Sequence, residues 1–160
     1  TEFTWIVLTQ GESDVNAEGI IGHGSGTPLI QLRGRDNLDG LGIGNDATYT
    51  TIRDSDGVEI NDAFGGLPAS EGPNIRVLKG DLTAGNVKVW HSNANANDSK
   101  TLSANFTGNF TASNKEVFSS PAEPDKLSIG ILTVTMIPVA LSDTLIENTI
   151  IPALASRYGI

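Results

Sequence analysis

KLSIGILTVTMIP, residues 126–138, is the longest apolar-rich run of the chain, and it alternates. Leu127, Ile129 and Ile131 share one face of a two-residue repeat, with Ser128 and Gly130 between them. Ile131 and Leu132 then stand side by side, and from there Leu132, Val134 and Met136 carry the apolar role against Thr133 and Thr135. Successive side chains of a strand point to opposite faces, so a single phase flip predicts a bulge or a change of packing partner midway.

Upstream, the cleanest period of two runs through residues 102–112. Leu102, Ala104, Phe106, Gly108, Phe110 and Ala112 fall on one face, and Ser103, Asn105, Thr107, Asn109 and Thr111 fall on the other. One face is core, the other wet or turned to a partner. This strand is the expected face-partner of 126–138, reached through a Pro-containing linker at 119–125.

Shorter strands are predicted at 2–9, 28–33, 47–52, 75–78 and 87–90. Phe3, Trp5 and Val7 alternate with Ile6 and Leu8, so the first of these has both faces at least partly buried. Asp54-Ser55-Asp56-Gly57 predicts a tight turn, with Val58 and Ile60 starting the return strand. Lys79-Gly80-Asp81 reads as a further turn. The glycine-rich segments 11–26 and 34–46, and the polar tract 91–100, read as loops, the last of them exposed.

Beyond Pro138 the pattern changes. Thr144 with Glu147 fits a capping box, while Pro152 predicts a break before one or two final turns capped by Gly159. An apolar tail of this kind must pack on something. The division is thus a β-sandwich domain at 1–138 and a tail at 139–160 that docks on the domain or on a neighbouring subunit.

Composition bounds the function. With 10 Lys and Arg against 19 Asp and Glu the net charge is −9, which repels nucleic acid and anionic membrane surfaces. There are 18 glycines and 7 prolines, material for short strands and tight turns rather than long helices. The chain has no cysteine, and at 160 residues needs no disulfide to bury a core. No run is long enough for a membrane helix. Thr1 stands where an initiator Met or signal peptide would, so a processed or trimmed chain is expected.

Candidate chemistry is sparse. Placing Gly57 at the sixth position of an EF-hand loop puts Ile52 first and Ala63 twelfth, where oxygen ligands are needed, so that motif fails. Asp54, Asp56, Glu59 and Asp62 remain as a non-EF calcium candidate, weighed against an ordinary hairpin turn; Asp36, Asp39, Asn45 and Asp46 form a weaker oxygen cluster. Ser25 has glycines on both sides and no helix after it, unlike a nucleophile elbow. His23 and His91 show no metal-ligand spacing. Asn97, Asn105 and Asn109 head glycosylation sequons, although Asn and Thr also suit a solvated strand face. Trp5, Tyr49, Trp90 and Tyr158 could stack on a sugar, but so few aromatics in a β-domain more often form core.

These readings converge on an all-β chain: an antiparallel β-sandwich, Ig-like or jelly-roll-like, with Gly-rich loops and a C-terminal tail. The expected role is a non-enzymatic structural subunit of an extracellular or virion-surface assembly, such as a pilus or fimbria, a capsid or an adhesive layer. Such a homo-oligomer would be held by β contacts between subunits, with Leu145, Ile146, Ile150, Ile151 and Leu154 meeting the partner. The alternative is a carbohydrate-binding module, with no cofactor or with calcium.

Overall fold

The computed structural model describes residues 2–10, 18–23, 27–34, 48–64, 73–94, 97–111, 115–117 and 130–160. Two antiparallel five-stranded sheets face each other. Sheet A has the order β10-β1-β6-β7-β8, from Gly130–Ile137, Glu2–Gln10, Asn74–Asp81, Asn86–Ser92 and Asn97–Ser103. Sheet B has the order β5-β4-β3-β2-β9, from Glu59–Phe64, Thr48–Arg53, Leu29–Gly34, Glu18–His23 and Lys115–Val117. The all-β sandwich expected from the alternation is the observed fold.

The main core lies between the sheets. Phe3, Trp5 and Val7 of β1, Leu78 of β6 and Val87 and Val89 of β7 meet Ile30 and Leu32 of β3, Ile52 of β4 and Ile60 of β5. The opposite face of sheet A carries a second core, in which Ile6, Leu8, Ile75, Val77 and Trp90 pack against Ile146 and Ile151 of the tail. That helical layer is why β1 is apolar on both faces. Each fully buried isoleucine of the tail contributes about 2 kcal/mol of transfer free energy.

The phase flip at Ile131–Leu132 is a bulge. Thr9 pairs with Ile131 and Leu8 with Thr133, so Leu132 is the extra residue of β10. β10 lies beside β1 in sheet A, not face to face with 102–112 as expected. Residues 126–129, the linker at 119–125 and Ala112 lie outside the described residues.

Other expectations need correction. The segment 11–26 contains a strand, β2, whose Gly22 sits between Gln31 and Glu116. Lys79-Gly80-Asp81 is not a turn, since β6 continues through Asp81 and the reversal falls at 82–85, where Gly85 takes φ 71°. The polar tract 91–100 is not an exposed loop. His91, Ser92 and Asn93 are buried, and Asn97 starts β8. An edge strand needs only backbone partners on one side, so polar residues suffice there.

The tail is one run of helix with no break at Pro152: α1 (Asp143–Leu145), a π-helical turn (Ile146–Ile150) and α2 (Ile151–Tyr158). Proline cannot donate to the helical ladder, and its ring crowds the preceding turn. The turn before it is widened, with Ile151 N–H donating to Ile146 O five residues back. The N-cap is Ser142, whose Oγ accepts from Leu145 N at 3.2 Å, not Thr144. Gly159 ends the helix at φ 73°, as expected, and Ile160 N–H closes back on Ala155 O at 3.0 Å.

Candidate functional site

After Ser103 the chain leaves sheet A and crosses toward sheet B, and this crossing strip builds the most ligand-like surface of the described residues. The strand ends, yet burial keeps alternating: Ala104, Phe106, Gly108 and Phe110 are half-buried, while Asn105, Thr107, Asn109 and Thr111 are exposed. The alternation expected for 102–112 therefore holds beyond the hydrogen-bonded ladder. What replaces the ladder is one carboxylate.

Asp54, at the end of β4, is fully buried. Its Oδ1 accepts from Asp56 N at 3.0 Å and Val58 N at 2.8 Å, closing the hairpin turn. Its Oδ2 accepts from Thr107 N and Gly108 N, both at 2.8 Å. Ser55 extends the clamp, its amide donating to Asn109 O at 3.0 Å and its Oγ accepting from Asn109 N at 2.9 Å. Burial alone would raise the Asp54 pKa, but the amides of Gly108, Thr107, Val58 and Asp56 together hold it below the usual carboxylate range. A Cβ on Gly108 would come within 2.7 Å of Asp56 N and 2.8 Å of Ser55 N, so only glycine fits this approach.

The clamp sets two phenylalanines edge to face, Phe106 and Phe110, with centroids 5.1 Å apart and planes at 85°. With Leu82 and Thr83 of the β6–β7 turn and with Gly108, Asn109 and Thr111, they line an open groove of about 420 Å³. Among the described residues the lining holds apolar floor, hydroxyls and an amide, and carries no charge. That mix suits a small ligand with one apolar face and several hydroxyls.

A second cleft, of about 340 Å³, lies where the tail meets sheet A and is lined by Lys79, Lys88, Thr101 and Asp143 among others. Its charges hold the helix. Lys88 Nζ bonds Asp143 Oδ2 at 3.0 Å and Glu147 Oε1 at 2.9 Å, and Lys79 bonds Asp143 Oδ1. Trp90 Nε1 donates to the same Glu147 oxygen at 3.0 Å, and Lys88 Nζ lies 4.7 Å from the Trp90 ring centroid. Burial would lower the Lys88 pKa, yet its bonds to Glu147 and Asp143 raise it. The bond from Lys88, and that from Trp90, lower the pKa of Glu147.

Sequence reasoning missed one cluster. On the inner face of sheet A, at the end away from the Asp54 turn, Arg76 Nη1 donates to Thr9 Oγ1 at 2.9 Å. Beside them Asn74 Oδ1 accepts from Asn93 Nδ2 at 2.9 Å and lies 3.1 Å from His91 Nε2. Arg76, His91, Asn74 and Thr9 are all fully buried. Asn74 and Arg76 stand two apart on β6, and His91 and Asn93 two apart at the end of β7, but no sequence spacing shows that these pairs meet each other and Thr9 of β1.

The sequence-derived candidates scatter. Asp54 is consumed by main-chain amides, and Glu59 Oε2 is held by Arg53 Nη2 at 2.6 Å. Asp56 lies in the turn, and the side chain of Asp62 is outside the description. Among the described residues no three acidic or histidine side chains group as metal ligands. Asp36, Asp39, Asn45, Asp46 and Ser25 lie outside the described residues, as do the side chains of His23 and Tyr49. Ile146 and Ile151 are buried against their own sheet, Ile150 and Leu154 pack beside them, and Leu145 is exposed. Trp5 and Trp90 are core, and Tyr158 packs on the outer core. Asn97, Asn105 and Asn109 are exposed, and Asn109 stands on the wall of the groove.

No protein-family model and no curated protein matches the chain. Among solved structures, the fold is similar to the CBM40 of the Ruminococcus gnavus IT-sialidase, solved bound to α2,3 sialyllactose. The TM-score is 0.56 at 15% identity, covering 99% of this chain and 83% of that one. At that identity the likeness shows the fold alone: both are β-sandwiches.

Proposed function

We propose that this chain is a non-catalytic, extracellular carbohydrate-binding module that takes a short neutral saccharide in the Phe106–Phe110 groove. The observation that carries the reading is the groove itself, an edge-to-face aromatic pair rimmed by Thr83, Asn109 and Thr111 on a clamped backbone. A pyranose offers an apolar ring face to the phenylalanines and hydroxyls to the rim. The sandwich shared with a module solved bound to sialyllactose supports the class. The ligand differs in the proposal: a sialylated sugar is anionic, and among the described residues the groove lining offers it no cation.

Binding is proposed to be calcium-independent, since both oxygens of Asp54 already accept two amides each. The structural-subunit reading is less favoured, because the apolar tail that would have met a neighbouring subunit packs Ile146 and Ile151 on its own sheet.

The test is titration calorimetry against a panel of neutral and sialylated oligosaccharides, with and without EDTA. The reading expects a neutral ligand whose affinity survives EDTA and falls at least about tenfold in Phe110→Ala, the loss of one stacking contact. A panel without any binder, or binding unchanged in both Phe106→Ala and Phe110→Ala, would sink it.

A further inference from the structure

Among the described residues the two sheets have four edge strands, and three of them contain charged residues. β8 carries Asp98 and Lys100, β5 carries Glu59 and Asp62, and β9 carries Lys115 and Glu116. Charged side chains on an edge discourage pairing with a further strand. β10, the remaining edge, reads GILTVTMI and has none. Met136 is 43% exposed there, and Val139 just beyond it is 47% exposed.

We infer that β10 is a self-association edge, and that its partner is the β10 of a second copy, antiparallel across a two-fold axis. The usable run is bounded at both ends. The bulge at Leu132 interrupts regular pairing on one side, and Pro138, which has no N–H, ends it on the other. Between them lie Thr133 to Ile137, with Thr135 at the centre. A two-fold axis at Thr135 sets Thr135 against itself, Val134 against the partner's Met136, and Thr133 against the partner's Ile137. Apolar meets apolar on the face that continues the inner core, where Val134 already packs. Centring on Val134 would bring the bulge into the ladder, and centring on Met136 would bring in Pro138.

No charge crosses this contact, so the net charge of −9 opposes it only from a distance and is screened by salt. Two short strands cover less than the roughly 1,000 Å² that a stable interface clears. The dimer is therefore weak and concentration-dependent, favoured by salt. Nothing in this depends on sugar binding.

Sedimentation equilibrium of the full chain up to millimolar protein, at low and moderate salt, tests it. Expected is a monomer–dimer equilibrium that tightens with salt and weakens at least about tenfold in Thr135→Lys, which places two like charges on the axis. Because the chain has no cysteine, Thr135→Cys supplies a second reading: mild oxidation traps a covalent dimer, whereas Lys100→Cys on the β8 edge does not. A monomer at every concentration, dimers that persist in Thr135→Lys, or equal trapping by both cysteine variants would each overturn the proposal. Circular dichroism confirms that each variant is folded.

Discussion

Asp54 Oδ2 accepts the amide of Gly108 at 2.8 Å, joining a hairpin turn of sheet B to the strip that leaves sheet A. Through this carboxylate a turn residue holds the Phe106–Phe110 groove in shape. Asp54→Ala strands four main-chain donors and is expected to lower Tm by several degrees and to weaken saccharide binding. Asp54→Asn, which keeps an acceptor oxygen, loses less of both. Thermal melts and calorimetry on the two variants check the order, and equal loss in both would show that the carboxylate is not the clamp.

Gly108→Ala probes the same joint sterically. The added Cβ meets backbone at 2.7 Å and 2.8 Å, so the strip must move away from the turn. The expected result is a folded protein, since the core between the sheets is untouched, with groove binding reduced at least about tenfold. Binding at the unaltered level would show that the strip adapts without cost.

Acid is expected to release the tail before it unfolds the sandwich. Burial would raise the Asp143 pKa, but its bonds to Lys79 and Lys88 lower it, and Glu147 is lowered by Lys88 and Trp90. Depressed carboxyls contribute stability that is complete above their unfolded pKa of about 4 and is lost as pH falls through the folded value. Lys88 is raised, so its share is present below about pH 10.4 and is lost as pH climbs through its folded pKa. The Trp90 indole N–H resonance, bonded to Glu147, should hold steady between these limits and shift beyond them. A resonance that moves near neutrality would contradict this.

Ile146 is fully buried between the tail and sheet A. Ile146→Ala is expected to cost about 2–5 kcal/mol by transfer and cavity terms together. Limited proteolysis should then cut within the tail at rates that leave the wild-type chain intact. Leu145→Ala, one position earlier and 40% exposed, should cost under about 1 kcal/mol.

Among the described residues, Thr50 Oγ1 is buried and has no hydrogen-bond partner. Thr50→Val keeps the shape and the β-branch while removing the stranded hydroxyl, and should stabilise by about 1 kcal/mol. That is a Tm rise of roughly 2–4 °C, read by calorimetry. A fall in Tm would show that the hydroxyl is satisfied in solution.

Local pattern alone determined the sandwich class, most of its strands, the Asp54–Gly57 turn and the Gly159 cap, and it narrowed the phase flip in β10 to a bulge or a change of packing partner. Each follows from rules acting within a few residues: alternation, turn chemistry and the left-handed preference of glycine. Even the two-faced burial of β1 was legible, because Phe3, Trp5 and Val7 alternate with Ile6 and Leu8. The groove was only half visible. Phe106 and Phe110 stood out as one face of a strand, but their exposure and their neighbours Leu82 and Thr83 come from a turn more than twenty positions away. Nor does any local rule tell a calcium-type acid from one whose oxygens are spent on the amides of Thr107 and Gly108. That choice, like the burial of Arg76 with His91 and the seat of Ile146 under the tail, belongs to long-range packing. Only the folded chain decides which polar groups meet and which strands lie at the edges of the sheets.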